Sequence, residues 1–153
     1  MHTLLRQFVN VVVLPFAVCI VPTRHPGGGK RGSAVVDYTL PERIAESAGW
    51  CMLQGKTAIN DKNNFLGKAG SPLTFTIFDA TNCAVEADGK CELEQSTVMP
   101  ILWESEPVQY TEKVQSFQVA LPETLTKLRL EVAASGSNAC AHAVWLDPML
   151  IAK

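Results

Sequence analysis

Residues 127 to 133 read KLRLEVA and alternate between polar and apolar side chains up to Val132. In an extended chain Leu128, Leu130 and Val132 lie on one side, and the charged residues between them lie on the other. A period of two with one apolar side is typical of a strand that buries one face in an antiparallel sheet. This segment therefore predicts a layered β-structure.

Further segments with strand character recur along the sequence. They are 16–21, 33–40, 50–59, 73–79, 99–105, 116–121 and 141–151. With 127–133 they give about eight strands at the spacing of an antiparallel β-sandwich or jelly roll. Only 41–47 has the character of a helical turn. The predicted fold class is all-β.

Composition restricts the size and the partners of this fold. The chain has 153 residues, of which 47% are hydrophobic, and this length suits one compact domain. Its 13 basic and 15 acidic residues are spread through the sequence and give a net charge of -2. Because no basic patch is present to attract phosphates, nucleic acid is excluded as a partner.

The first residues have two interpretations. Residues 1–19 are either a signal peptide, with Ala17-x-Cys19 as its cleavage site, or the start of the sandwich, and we favour a first strand from Phe16 to Val21. The apolar stretch is too short to cross a bilayer, so no transmembrane segment is expected. The main domain is predicted over 20–153. Its glycine-rich segment 25–32 lacks the spacing of a phosphate-binding loop.

Two insertions interrupt the strands, at 60–72 and at 80–97. The second reads as an extra hairpin in which Cys83 and Cys91 flank an Asp-Gly turn. The two thiols either form a disulfide or stay reduced on a surface loop. None of the five cysteines has the spacing of a zinc motif.

The order of these segments resembles the NPCBM family of carbohydrate-binding modules over residues 20–152. The resemblance is carried by HPGGGKRGSAVVDYTL, GKTAINDKN, SPLTFTIF, ILWESEPV and LTKLRLEVAASGSNACAHAVWLDPML, and it is most specific at the end, where His142, Trp145, Asp147 and Pro148 follow the LRL strand. Ala141 stands where the family has an acidic residue, and the 80–97 insertion is not typical of it. The resemblance implies a galactose-binding-like β-sandwich that binds sugars without cleaving them.

Sugar recognition needs polar side chains that both donate and accept hydrogen bonds, and an aromatic ring that packs on the C–H face of a pyranose. The candidates are His25, Asn60, Asp61, Asn138, His142 and Trp145. Each has a structural alternative: a turn or cap for the asparagines and Asp61, a buried histidine for His142, and core packing for Trp145. Core packing is also the interpretation of Trp50 and Trp103.

Strand periodicity separates the two candidates of the last strand. His142, Val144 and Leu146 share one face, while Ala143 and Trp145 share the other. We assign Val144 and Leu146 to the core. Trp145 is then expected on the other surface or beneath a neighbouring loop.

Catalytic and cofactor sites are not predicted. Cys140 and His142 lack a third orienting group, and Glu104 and Glu106 lie on one short stretch where solvation explains them. No cofactor is expected, although Asp61 and loop carbonyls would suit a structural calcium ion.

The sequence thus predicts an extracellular, non-catalytic module that binds galactose-type glycans and targets an attached or partner glycoside hydrolase. A cell-surface protein-interaction or structural sandwich without a sugar site is the alternative.

Overall fold

The computed structural model describes residues 11–13, 19–20, 33–40, 50–60, 67–85, 91–92, 98–137 and 141–152. Their regular structure consists entirely of strands, which confirms the predicted all-β class. The strands are β1 Val11–Val13, β2 Cys19–Ile20, β3 Ser33–Thr39, β4 Trp50–Ile59, β5 Lys68–Asp79, β6 Ala84–Val85, β7 Cys91–Glu92, β8 Ile101–Glu104, β9 Val108–Tyr110, β10 Gln115–Ala120, β11 Lys127–Ala134 and β12 Ala143–Ala152. A helix able to cross a membrane does not occur in these ranges.

Two five-stranded antiparallel sheets form the sandwich. The first sheet has the order β1-β12-β4-β10, and β2 pairs with β12 beside β1. The second sheet has the order β3-β11-β5-β8, and β9 pairs with the first part of β5. A separate two-stranded hairpin consists of β6 and β7. The predicted strand at Phe16–Val21 is confirmed for Cys19–Ile20, whereas β1 was not foreseen as a separate strand.

The hydrophobic core lies between the two sheets. Leu128, Leu130 and Val132 of β11 are almost completely buried, as their alternation predicted. From the first sheet Leu53 and Leu150 are equally buried. Burying each such side chain stabilises the fold by about 1.5–3 kcal/mol.

A β-bulge in β12 reverses which residues face this core. The register between β12 and β4 shifts between Leu146 and Met149, so Asp147 and Pro148 together oppose one residue of β4. Asp147 has a φ of 45°, in the left-handed region. Before the bulge Trp145 faces the core, and after it Leu150 does.

The assignment of Leu146 to the core was wrong, whereas Val144 is buried as expected but lies outside the core cluster. Trp145 and Ala143 belong to the core cluster, while Leu146 lies on the opposite face and is half-buried. Val144 is itself buried, on the face away from the core cluster. Because both faces of this part of β12 bury apolar side chains, their alternation could not identify the inner face.

The 80–97 insertion contains the predicted hairpin, since β6 pairs with β7. Cys83, immediately before β6, is buried with Ala80 and Met99 and is disulfide-bonded. The alternative of a reduced thiol on a surface loop was therefore wrong for Cys83. Its pairing with Cys91 remains a prediction.

Sequence periodicity missed β9. This strand has only three residues, and Val108 within it is buried in the core. A segment this short carries too little alternation to be recognised. The predicted helical turn at 41–47 lies outside the described residues.

Candidate functional site

One end of the sandwich gathers most of the connections that cross between the two sheets. Ile20 and Ile59 both lie opposite Ala143, at the start of β12. Ser33 lies opposite Ala133 at the end of β11 in the second sheet. Four connections therefore begin and end here: 21–32, 60–67, 111–114 and 135–142. We call this the loop end.

Hydrogen bonds hold the connection after β11 against β5. The Ser71 hydroxyl donates to the carbonyl oxygen of Ser137 at 2.7 Å and accepts from the Gly136 N–H at 3.0 Å. The Ser135 N–H donates to the carbonyl of Pro72 at 3.0 Å. These hydrogen bonds attach residues 135–137 to β5.

A second set of bonds fixes the turn after β9. The Thr111 N–H and hydroxyl both donate to the carbonyl oxygen of Gly67, at 3.1 and 3.3 Å. Gly67 has a φ of 66°, which suits glycine because it has no Cβ. Tyr110, opposite Lys68 in the same ladder, is 51% exposed.

Two of the predicted sugar-binding residues are neighbours at the loop end. The Asn60 N–H donates to the carbonyl oxygen of His142 at 2.7 Å, which extends the β4–β12 ladder by one pair. Both residues are half-buried. His25, Asp61 and Asn138 lie outside the described residues, within connections that start or finish at this end.

Trp145 is not available for stacking on a sugar. Its side chain is 1% exposed, and its ring packs edge-on against Phe75 at 5.2 Å and Phe117 at 5.7 Å between centroids. Trp103 lies 6.4 Å away in the same cluster, which confirms its core interpretation. We therefore correct the assignment of Trp145 from a binding residue to a core residue beneath the loop end.

Two polar atoms in this aromatic region lack hydrogen-bond partners within the described part of the chain. They are Trp145 Nε1 and Thr57 Oγ1, and their residues are directly opposed in the β4–β12 ladder. An unpaired buried hydroxyl costs about 1–3 kcal/mol relative to a satisfied one. The region beneath the loop end thus carries a local cost in stability.

The 80–97 insertion lies at the opposite end of the sandwich. Asp79, which precedes it, pairs with Leu128 at the start of β11. Along β11 this position is about 20 Å from Ala134 at the loop end, given a rise of about 3.3 Å per residue. The hairpin therefore contributes nothing to the neighbourhood of His142.

The acidic stretch near β8 has a structural explanation. Ser105 is buried, its N–H donates to the Phe75 carbonyl at 2.9 Å, and its hydroxyl accepts from the Phe75 N–H at 3.0 Å. Glu104 and Glu106 on either side of it are exposed. This arrangement fits the predicted solvated role of the two carboxylates.

Charged groups on the outer face of the second sheet form an ion pair. Arg129 donates two hydrogen bonds to the Asp37 carboxylate, at 2.7 and 3.0 Å, and this contact raises the pKa of Arg129. Burial raises the pKa of Glu131, and the charge of Arg129 opposes that effect. Across the described ranges no three His, Cys, Asp or Glu residues group as metal ligands. Asp61, the candidate calcium ligand, lies outside those ranges.

Solved structures that contain CBM51 carbohydrate-binding modules are similar to this sandwich in fold. The tandem CBM51 modules of the family 98 glycoside hydrolase from Streptococcus pneumoniae are 19% identical, with a TM-score of 0.52, over 80% of this chain and 31% of that chain. The CBM51-2 and INT domains of ZmpB from Clostridium perfringens are 15% identical, with a TM-score of 0.50, over 80% of this chain and 22% of that chain.

These similarities establish the fold. The chain shares the β-sandwich fold of these CBM51-containing structures and spans less than a third of the length of the two matched chains. No protein-family model matches the chain, and no curated protein matches it.

Proposed function

We propose that this protein is a non-catalytic carbohydrate-binding module that recognises galactose-type glycans at the loop end. The observation that supports the proposal is that the strand ends flanking the polar candidates meet there, on a sandwich similar in fold to CBM51 modules. The galactose preference and the membership of the NPCBM family rest on the resemblance in sequence.

Asn60 and His142 form the centre of the proposed site. A carboxamide and a neutral imidazole each both donate and accept hydrogen bonds, as a pair of sugar hydroxyls requires. Their backbones are joined at 2.7 Å, so the two residues are held together by the ladder. His25, Asp61 and Asn138, which lie outside the described residues, are the other polar groups of this proposal.

Tyr110 replaces Trp145 as the aromatic candidate. It is half exposed at the end of β9, next to the turn that Thr111 and Gly67 fix. Its ring offers an apolar face for the C–H patch of a pyranose, and its hydroxyl can form hydrogen bonds. Sequence reasoning missed it because β9 was not recognised.

The module acts by targeting. Binding to a glycan surface raises the local concentration of an attached or partner glycoside hydrolase, which is a multivalency effect. In the pneumococcal protein the CBM51 modules are part of such a hydrolase. The disulfide at Cys83 supports an extracellular location, because disulfides persist in oxidising compartments.

Calorimetric titration tests the proposal with methyl galactoside, lactose, methyl glucoside and methyl mannoside. We expect the galactosides alone to bind, and His142→Ala to weaken that binding by about tenfold, the effect of losing about 1.4 kcal/mol. Glu123→Ala is the matched control, since Glu123 is exposed near the opposite end. Circular dichroism confirms that each variant is folded.

Silence across a broad glycan array would overturn the proposal. If the array stays silent and the same chain captures a specific protein partner, the protein-interaction alternative would be established. Equal binding of galactosides and glucosides would remove the galactose preference but retain the module.

A further inference from the structure

The outer face of the first sheet carries an open depression of about 520 Å³ next to the β12 bulge. This volume falls within the range of about 300–1,000 Å³ for small-molecule sites. Strands β12, β4 and β10 form its base, so it is about 10 Å across, given strand spacings of about 4.8 Å. Its polar side chains come from Gln54, Lys56, Ser116, Gln118 and Asp147, and Met149 contributes an apolar wall.

The strand register groups these side chains. Gln54 lies directly opposite Gln118, and Lys56 lies directly opposite Ser116. On the other side of β4, Met149 lies opposite Gln54. Two carboxamides are therefore neighbours on one face, with an apolar side chain beside them.

The depression combines one cation, one anion and neutral hydrogen-bonding groups. Within the described ranges, Gln54, Lys56, Gln118 and Asp147 make no side-chain hydrogen bond or ion pair. Such a lining carries no net charge and offers both donors and acceptors. It is complementary to an uncharged ligand rich in hydroxyl groups.

The backbone at Asp147 is held in a conformation that few residues other than glycine adopt. Its φ is 45°, and its side chain is exposed at the depression. Bulges commonly re-aim a side chain, and backbone strain concentrates at functional sites. An aspartate at this position adds an acceptor to the depression that glycine would lack.

We infer that this depression is a second saccharide-binding site, for one or two units of a neutral glycan. The carboxamides, Lys56 and Asp147 bind hydroxyl groups, and Met149 packs on the C–H face of the sugar. This site lies on the sheet face and is separate from the proposed site at the loop end. Two sites on one module would let it engage a single glycan surface at two points.

NMR titration tests the inference with lactose, cellobiose and mannobiose on uniformly ¹⁵N-labelled protein. We expect saturable shifts of the side-chain amide signals of Gln54 and Gln118 with at least one disaccharide. Gln118→Ala should weaken this response by at least about fivefold, whereas the exposed control Glu123→Ala should leave it unchanged. A response absent for all three sugars, or unaltered by Gln118→Ala, would overturn the inference.

Failure of this site and failure of the proposed function are distinguishable. If galactosides still shift the signals of Asn60 while those of Gln54 and Gln118 stay still, only the second site is wrong. If only the sheet-face signals respond, the loop-end proposal is wrong and the second site stands.

The variant Asp147→Gly separates a binding role of Asp147 from a purely structural one, because stability and sugar binding should change in opposite directions. Glycine adopts a positive φ without strain, so the variant should melt at a higher temperature than the wild type. The same variant should bind the responding disaccharide more weakly, while Asp147→Asn should retain more of the binding. A stabilised Asp147→Gly variant with unchanged binding would remove Asp147 from the site.

Discussion

Trp145 and Asp147 lie two residues apart on β12 and serve opposite faces of the first sheet. Trp145 is 1% exposed in an aromatic cluster, whereas Asp147 is exposed on the bulge beside an open depression. The backbone between them, and not their proximity in sequence, decides which residue supports the fold and which is exposed to solvent.

The inner and outer faces should respond differently to substitution. The inner face is packed without access to solvent, so any change in side-chain volume disturbs the packing of the neighbouring rings. The outer face exposes polar side chains, whose replacement changes stability little.

Replacing Trp145 by alanine should give the largest effect. Loss of an aromatic ring from the core lowers the free energy of unfolding by about 3–5 kcal/mol. Urea denaturation followed by tryptophan fluorescence and circular dichroism measures this loss. Trp145→Phe is the control: it should retain most of the stability and all of the galactoside affinity. Lost affinity in a folded Trp145→Phe variant would show that Trp145 contacts ligand.

Gly55→Ala should have the next largest effect, because Gly55 is the residue of β4 that lies opposite the bulge. A Cβ there would lie 2.8 Å from Phe117 Cζ and 2.9 Å from the backbone oxygen of Leu146. Relief of such contacts costs about 1–3 kcal/mol in the free energy of unfolding. In Gly136→Ala the added Cβ meets Ser71 at an ordinary 3.5 Å, so this control should be nearly neutral in the same denaturation experiment.

Equal stabilities of the Gly55→Ala and Gly136→Ala variants would contradict the close packing at the bulge.

Thr57→Val should stabilise the inner face. The Thr57 hydroxyl is buried and has no partner among the described residues, and valine replaces it with a methyl group of similar size. We expect a gain of about 1 kcal/mol in the free energy of unfolding. Thr57→Ser, which keeps the hydroxyl and loses the methyl group, should instead be destabilised. A loss of stability in Thr57→Val would indicate that the hydroxyl is satisfied.

Glu131→Gln should have the smallest effect and should depend on pH. Burial raises the pKa of Glu131 above its ordinary value of 4.5, so the folded state favours the protonated carboxyl. The resulting stabilisation is complete below that ordinary value and is lost as the pH rises through the higher pKa of the folded state. Glutamine should therefore raise the melting temperature at pH 7 and leave it nearly unchanged at pH 4. An equal change at both values would contradict the burial effect.

The sequence predicted the strands that have one buried face. β4 has the bounds expected from 50–59, and β11 buries Leu128, Leu130 and Val132 as the alternation required. The orientation of β12 could not be predicted, because apolar side chains occupy both of its faces and the bulge at Asp147 changes the alternation midway.

The candidate site was predictable only in part. His142 and Asn60 were chosen for their chemistry, but their adjacency arises from pairing between strands that are far apart in sequence. The position of Tyr110 depends on the short strand β9. The depression near Gln118 depends on three strands lying side by side. Local patterns carry no information on such long-range arrangements.

A crystal structure of the protein soaked with methyl galactoside would show whether the loop end binds sugar. We expect a sugar there, with hydroxyl groups about 3 Å from side-chain atoms of Asn60 and His142. A loop end without sugar at saturating concentration, in crystals where packing leaves it open, would show that the proposed site is wrong.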